Sequence, residues 1–201
     1  MVGNDCLARH HPDHAKWNGH IRCRDDGLPC PYTPTLIDID SNIYNTVQIG
    51  LQCWMKENLR TTRYADSTFI PAGSATSSTN GYRYLPYNNE NIVSTYGYLY
   101  NWPAVMNGAS TSYANPSGVQ GVCPTGWHVP SDAEWTQLTN YVRSQTEFIC
   151  GDTNVNIAKA LASTIDWSIS INTCAVGTTL SDNFTGEPPR RTRDRHDGLP
   201  R

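Results

Sequence analysis

The segment CPTGWHVPSDAEW, residues 123–135, holds a thiol, an imidazole and two carboxylates. A cysteine can act as a nucleophile when a histidine base lies within hydrogen-bonding distance, so Cys123 and His128 are candidates for such a pair. Cys123, His128 and Glu134 could instead supply three ligands of a zinc site, which would need a fourth ligand. Isolated Cys and His residues without a wider framework are common. We therefore expect no catalytic residue and no metal ligand, and we expect His128 to be a hydrogen-bonded residue at a helix entrance.

The same segment has the features of a helix start. The hydroxyl of Ser131 can cap a helix, and Glu134, three residues later, can reach back to the Ser131 N–H to complete a capping box. The apolar spacing that follows predicts a helix over about residues 131–143. We expect Trp127 and Trp135 to anchor this helix in the core.

The region before this helix predicts a β-meander. Residues 36–59 have the pattern of strand, turn and strand, followed by a third strand around Cys53. Asp38, Asp40 and Asn42 match the first three ligand positions of an EF-hand calcium loop, but the glycine at the sixth position and the glutamate at the twelfth are missing. We therefore predict a hairpin turn. Calcium could bind elsewhere, but no ligand can be assigned, and no other cofactor is indicated.

Aromatic residues are the best candidates for ligand binding. Tyrosines and asparagines are concentrated in residues 82–100. They provide rigid stacking surfaces and adaptable hydrogen bonds, which suit a glycan or protein ligand. Packing of the rings in the core or at a sheet edge is the alternative. The candidate ligand-binding residues are Tyr82, Tyr84, Tyr87, Tyr96 and Tyr98.

The secondary structure of residues 95–105, TYGYLYNWPAV, is left open by the sequence. Aromatic residues occupy every second position, which would place them on one face of a strand: Tyr96, Tyr98, Tyr100 and Trp102. A short helix that begins near Leu99 is an equal alternative.

Seven cysteines, an odd number, suggest disulfides and an oxidising compartment. Cys150 and Cys174 bracket a predicted short second helix, and we favour them as a disulfide pair. Cys53 can pair with either Cys30 or Cys123, and the sequence does not decide between them. The second helix covers about residues 156–163, with three apolar residues facing inward: Ile157, Ala160 and Leu161.

The composition limits the domain organisation and the partners. The chain has 201 residues, a net charge of −3 and only 16% charged residues, so we expect a loop-rich domain and no nucleic-acid partner. No apolar run is long enough to span a membrane, and no signal peptide is visible. We predict a poorly structured leader over residues 1–31, a folded domain over residues 32–186, and an Arg- and Pro-rich disordered tail over residues 187–201.

Three motifs carry a family resemblance: DIDSNIYNTVQIGLQCWMKENLRTTRYAD, YGYLYNWPAV and GVCPTGWHVPSDAEWTQLTNYV. In that order they resemble the Fibrobacter succinogenes major paralogous domain of secreted and surface proteins of Fibrobacter and Bacteroidetes, over about residues 34–186. The resemblance implies an α+β fold of C-type-lectin-like architecture and a location outside the cell or at its surface. It implies no catalytic residues, because none are defined for the family.

The chain departs from the family pattern after Gly186, where EPPRRTRDRHDGLPR replaces the expected second half. The resemblance therefore implies a truncated domain with an incomplete sheet. It also implies that the family partner of Cys123, in a late strand, is missing, so we expect Cys123 to be unpaired. The predicted function is a non-enzymatic, secreted or cell-surface module that binds an unknown glycan or protein. The alternatives are an enzyme on a scaffold like that of formylglycine-generating enzymes, or a non-functional fragment.

Overall fold

A computed structural model describes residues 27–145, the backbone of Leu7 and Ala8, Ile157 and residues 160–162. The described strands are β1 (Leu7–Ala8), β2 (Thr35–Ile37), β3 (Ile43–Ile49), β4 (Gln52–Met55), β5 (Arg83–Tyr84), β6 (Leu99–Tyr100) and β7 (Trp127–His128). The described α-helices are α1 (Val93–Tyr96), α2 (Trp102–Met106) and α3 (Asp132–Ser144). Short 3-10 helices cover Pro86–Asn88 and Glu90–Ile92. This mixture confirms the predicted α+β class.

The main sheet is antiparallel and has the strand order β2-β3-β4-β1-β7. The hairpin between β3 and β4 turns so tightly that Ile49 pairs with Gln52. Strands β2, β3 and β4 are consecutive neighbours, which confirms the predicted β-meander. Strand β1 lies within the predicted leader and pairs with both β4 and β7. A second sheet contains β5 and β6.

The main sheet separates two hydrophobic clusters because side chains alternate between its faces. On one face, Val47, Ile49 and Trp54 pack with Leu138 and Val142 of α3. The other face is covered by a larger cluster that includes Tyr44 of β3, Met55 of β4, Leu59, Tyr100 and Trp127. Both faces of the sheet are therefore buried, and the loops that build the second cluster are held on a rigid base.

Helix α3 begins and ends within one residue of its predicted bounds. The N–H of Glu134 donates to Oγ of Ser131 at 3.3 Å, and the N–H of Ser131 donates to Oε2 of Glu134 at 2.9 Å. The predicted capping box is therefore present. The side-chain amide of Gln52 also donates to the carbonyl of Glu134 at 3.0 Å, which ties the first turn of α3 to β4.

The two predicted tryptophan anchors lie on opposite faces of the sheet. Trp135 of α3 packs against Trp54 of β4, with ring centroids 4.9 Å apart. Trp127 is buried, with 3% of its surface exposed, but it belongs to the cluster on the face away from α3. Trp135 thus packs directly beside the helix, whereas Trp127 holds β7 against the second cluster.

Residues 95–105 contain part of each predicted alternative: a strand of only two residues and a short helix that begins at Trp102 instead of near Leu99. Helix α1 is capped by Gly97, whose φ of 65° favours glycine. Any other residue here would place its Cβ 2.5 Å from the carbonyl oxygen of Leu59, which is too close. A two-residue strand, β6, follows, and α2 then begins after Asn101, whose side chain accepts the N–H of Ala104. Pro103 in the first turn favours this helix start. The aromatic periodicity is therefore interrupted on both sides of β6.

The predicted second helix is not observed at the residues described. Residues 160–162 form a turn and a bend, and Ile157 is not helical. Ile157 and Ala160 are nevertheless buried in the cluster beside α3, as predicted, and Leu161 packs against that cluster. The rest of this segment lies outside the described residues, as do Cys150, Cys174 and the predicted tail.

The longest described helix, α3, has 13 residues. A helix that spans a bilayer needs about 20 apolar residues. Within the described part of the chain, no helix is long and apolar enough to cross a membrane.

Candidate functional site

The first candidate site, at the start of α3, contains a buried pair of ionisable side chains. Nε2 of His128 lies 2.8 Å from Oε1 of Glu134, and the two side chains are 0% and 1% exposed. The other carboxylate oxygen of Glu134 accepts the N–H groups of Ser131 and Ser117 at 2.9 and 3.1 Å. The carboxylate therefore joins β7, α3 and the loop around Ser117.

The environment of Glu134 favours the ionised carboxylate. Burial by itself would raise the pKa of this group. The hydrogen bond from His128 and those from the N–H groups of Ser131 and Ser117 outweigh burial, so the pKa of Glu134 lies below its ordinary value. Nδ1 of His128 is buried and has no hydrogen-bond partner among the residues that the structure describes. Because neither side chain reaches solvent, a substrate has no direct access to the pair.

Cys123 is fully buried and is disulfide-bonded. The expectation that Cys123 is unpaired was therefore wrong. A sulfur in a disulfide is not a thiolate and cannot serve as the nucleophile considered for this segment. The structure therefore brings neither Cys123 and His128 nor Cys123 and Glu134 together as a catalytic or metal-binding set.

Another disulfide joins Cys30 and Cys53, with 5.8 Å between their Cα atoms. The sequence left Cys53 with two possible partners, and the structure selects Cys30. The bond ties the segment before β2 to β4. The N–H of Cys30 also donates to Oγ1 of Thr46 at 3.1 Å, so the same connection is supported by β3.

The motif DIDSN forms a hairpin turn, as predicted. Oδ1 of Asp38 accepts the N–H groups of Asp40 and Asn42, both at 2.9 Å. Oδ2 accepts the side-chain amide of Asn42 at 2.8 Å and the hydroxyl of Tyr44 at 2.6 Å. The carboxylate is thus fully used by the turn. Among the residues described, no group of three or more His, Cys, Asp or Glu residues could hold a metal ion.

The second acidic residue of the motif points to a neighbouring loop. Oδ2 of Asp40 accepts the N–H of Thr62 at 2.5 Å and the hydroxyls of Thr62 and Thr61 at 2.8 and 3.3 Å. Oδ1 lies 3.5 Å from Nε of Arg63. Burial would raise the pKa of Asp40, but these hydrogen bonds and the charge of Arg63 lower it overall. Asp40 therefore fixes the Thr61–Arg63 loop beside the hairpin turn.

An open groove of about 410 Å³ lies next to Asp40. We call it the Asp40 groove. It is formed by the hairpin turn, the loop after β4 and the region of α1, which supply Asp40, Asn42, Arg60, Thr62, Val93, Ser94 and Tyr98. Ligand-binding pockets commonly have volumes of about 300–1,000 Å³. The groove is therefore large enough for a small sugar or a few residues of a peptide.

Arg60 provides the cationic side chain of the Asp40 groove. Its guanidinium lies over the ring of Tyr44, 4.6 Å from the centroid, and donates one hydrogen bond to the carbonyl of Ile43 at 2.9 Å. Its backbone N–H donates to the hydroxyl of Tyr44 at 2.8 Å. Because Tyr44 is fully buried, these contacts give Arg60 a defined position.

The predicted ligand-binding tyrosines are distributed over several environments. The rings of Tyr82 and Tyr84 meet edge to face, with centroids 6.4 Å apart, and pack against Gly73. Tyr87 is 66% exposed on the turn after β5, and Tyr96 is half-buried at the end of α1. Tyr98 is buried, donates to Glu90 at 3.1 Å and, unlike the other four, lines the Asp40 groove.

Sequence reasoning missed most of this groove. Asp40 and Asn42 were weighed as calcium ligands and predicted to lie in a hairpin turn, and Arg60, Thr62 and Ser94 were not considered. The residues come from three segments that are far apart in the chain. Each segment, taken by itself, has no sequence feature that indicates a binding site. No local motif could have indicated that they meet.

These features define a small, disulfide-containing α+β domain with an enclosed His–Glu pair and an open polar groove. The family described as the Fibrobacter succinogenes major domain matches residues 47–193, which is more than half of the chain. The chain belongs to this family, and the resemblance inferred from its motifs is confirmed. No curated protein and no solved structure matches the chain. The family assignment names no ligand or reaction, so a function must be argued from the site.

Proposed function

We propose that this domain is a non-enzymatic binding or display module of a secreted or cell-surface protein, and that the Asp40 groove is its ligand site. The ligand is a glycan or a protein segment. The observation that carries the proposal is the groove itself, an open volume of about 410 Å³ whose lining residues mostly have polar or charged side chains and come from three separate segments. Such clefts with a few placed polar groups are typical of ligand sites.

The rigidity of the groove supports a binding role. Asp38 and Asp40 hold the hairpin turn and the adjoining loop through side-chain hydrogen bonds. Tyr98 is anchored at the opposite wall by Glu90 and by the guanidinium of Arg83, which lies 4.9 Å from its ring centroid. A site that is already ordered loses less conformational entropy when a ligand binds.

A location outside the cell is supported by the cysteines. Cys30 and Cys53 form one disulfide and Cys123 takes part in another. Disulfides persist mainly in oxidising compartments such as the cell exterior. The family resemblance to secreted and surface proteins points to the same location, and to a C-type-lectin-like version of the α+β fold.

The absence of an enzymatic role is part of the proposal. The residues that suggested chemistry are used in other ways, since Cys123 is disulfide-bonded and the His128–Glu134 pair is enclosed. The Asp40 carboxylate is occupied by Thr61, Thr62 and Arg63. These contacts favour binding over catalysis at the groove.

The proposal is tested by screening the full chain against glycan and protein arrays and repeating each positive result with Ser94→Trp. Ser94 is exposed and lines the groove, so the indole should fill the volume that a ligand needs. The matched control is Thr95→Trp, because Thr95 is the next exposed residue of α1 and does not line the groove. Loss of binding only in Ser94→Trp supports the proposal. Absence of any ligand, or equal binding by both variants, contradicts it.

A further inference from the structure

We infer that the ligand of the Asp40 groove is an acidic oligosaccharide, whose carboxylate or sulfate group binds the guanidinium of Arg60. This inference rests on the proposed binding function and specifies the chemical class of the ligand. The carboxylates near the groove are already occupied by hydrogen bonds within the protein, whereas N–H donors of Arg60 remain available to a ligand.

The acidic groups at the groove are already occupied. Asp38 accepts four hydrogen bonds inside the hairpin turn, from two backbone N–H groups, the Asn42 amide and the Tyr44 hydroxyl. Asp40 accepts three from Thr61 and Thr62 and lies beside Arg63. A cationic ligand would therefore have to compete with these partners for every carboxylate oxygen.

Donors, in contrast, remain available. A guanidinium carries five N–H donors, and Arg60 uses one of its side-chain nitrogens, Nη2, to bind the carbonyl of Ile43. No carboxylate of the described residues lies within ion-pair distance of Arg60, although the side chain lines the groove. The ring of Tyr44 covers one face of the Arg60 guanidinium. A ligand can therefore reach the unused N–H donors along the edge of the guanidinium. The planar edge of a guanidinium matches a carboxylate or sulfate group.

The charged side chains near the groove differ in how far they are already engaged. Residues 27–145 include five Lys and Arg residues. Arg60 lines the groove, and Arg63 and Arg83 contact its lining residues Asp40 and Tyr98. Arg83 lies over the ring of Tyr98, and within the described part of the chain its buried Nε has no hydrogen-bond partner. Three carboxylates, Asp38, Asp40 and Glu90, lie near the same groove, but Asp38 and Asp40 are engaged by the hairpin turn and the Thr61–Arg63 loop and Glu90 accepts from Tyr98.

The remaining lining favours a sugar over an acidic peptide. Ser94 provides a hydroxyl. The hydroxyl of Thr62 donates to Asp40, and the amide nitrogen of Asn42 donates to Asp38 and to the carbonyl of Arg60, but the oxygens of both side chains can still accept hydrogen bonds from sugar hydroxyls. Apolar atoms contribute somewhat more of the exposed lining than polar atoms do, but the two apolar or aromatic residues of the lining, Val93 and Tyr98, are themselves buried. Peptide recognition in grooves usually relies on apolar anchors or on a strand edge. Among the described residues, the groove is lined neither by a strand edge nor by an exposed large apolar side chain.

The inference is tested by calorimetric titration of the full chain with trisaccharides of matched size. The acidic probes are a galacturonic acid trisaccharide and a sulfated galactose trisaccharide, and the neutral probe is a galactose trisaccharide. We expect the acidic sugars to bind and their affinity to fall with added salt. We expect Arg60→Gln to weaken that binding about tenfold or more, because a charge-assisted hydrogen bond is lost. Arg143→Gln removes an exposed charge from the last turn of α3 and should have no effect.

A second pair of variants keeps the test valid if Arg60→Gln disturbs packing on Tyr44. Ser94→Asp places a negative charge at the exposed groove wall and should weaken binding of both acidic sugars, whereas Ser94→Asn should not. Equal binding of neutral and acidic sugars, or an affinity for hexaglutamate and not for the sugars, overturns the inference while leaving a binding function in place. Failure of every probe, together with negative array screens, overturns both proposals.

Discussion

Nε2 of His128 lies 2.8 Å from Oε1 of Glu134 in a site where neither side chain is exposed to solvent. The contact joins the last described strand to the first turn of α3. Glu134 also accepts the N–H of Ser117, so three segments meet at one carboxylate. The His128–Glu134 pair, whose residue types suggest catalysis, therefore connects strand β7, the loop at Ser117 and helix α3.

Glu134→Gln is expected to destabilise the domain by about 3 kcal/mol, because it removes the charge from a buried, hydrogen-bonded pair and replaces an acceptor oxygen with an amide donor. Urea denaturation followed by tryptophan fluorescence measures this difference. The control is Asp132→Asn, which removes an exposed carboxylate from the same helical turn and should cost about 0.5 kcal/mol. Equal effects of the two substitutions would show that Glu134 acts only through the helix dipole.

The stability of the domain is expected to fall in acid partly through Glu134. Its pKa in the folded state lies below the ordinary value of 4.5, since the hydrogen bonds from His128, Ser131 and Ser117 overcome burial. The stabilisation is therefore present above the pKa of the unfolded chain and is lost as the pH falls through the pKa of the folded state. Denaturation midpoints measured across this range should decrease more steeply for the natural chain than for Glu134→Gln. Parallel curves would contradict this prediction.

The three cysteines among the described residues are expected to be unreactive in the folded, oxidised protein. Cys30 and Cys53 are joined to each other, and Cys123 is also disulfide-bonded. Titration with a chromogenic thiol reagent, before and after unfolding without reductant, followed by peptide mapping, checks each position. A labelled Cys123 in the folded protein would reopen the possibility of a thiol-dependent reaction. Cys30→Ala/Cys53→Ala should lower stability by about 3 kcal/mol, the effect expected for opening a loop of this length.

The sequence by itself determined the features that depend on neighbours in the chain. The capping box of α3 needs only Ser131 and Glu134, three residues apart, and the turn at Asp38 is closed by hydrogen bonds to residues two and four positions later. The β-meander follows from apolar alternation interrupted by turn residues. The family resemblance was also visible, because its motifs are continuous stretches of sequence.

The sequence did not predict the secondary structure correctly where local signals competed. The aromatic alternation of residues 95–105 suggested a single element, but Gly97 and the cap at Asn101 divide it into the ends of two helices and a short strand. The apolar residues near Ile157 were correctly expected to be buried, yet the described ones lie in a turn. Burial follows from hydrophobicity, whereas the backbone conformation also depends on what the segment packs against.

Only the tertiary structure decided which distant residues meet. It selected Cys30 as the partner of Cys53, brought the loop at Ser117 to the carboxylate of Glu134, and assembled the Asp40 groove from three segments. Each of these contacts joins residues well separated in sequence, and its geometry is set by how the two faces of the sheet are covered. Local hydrogen bonds and periodicity fix elements, but the positions of side chains from separate loops are fixed by packing in a shared core.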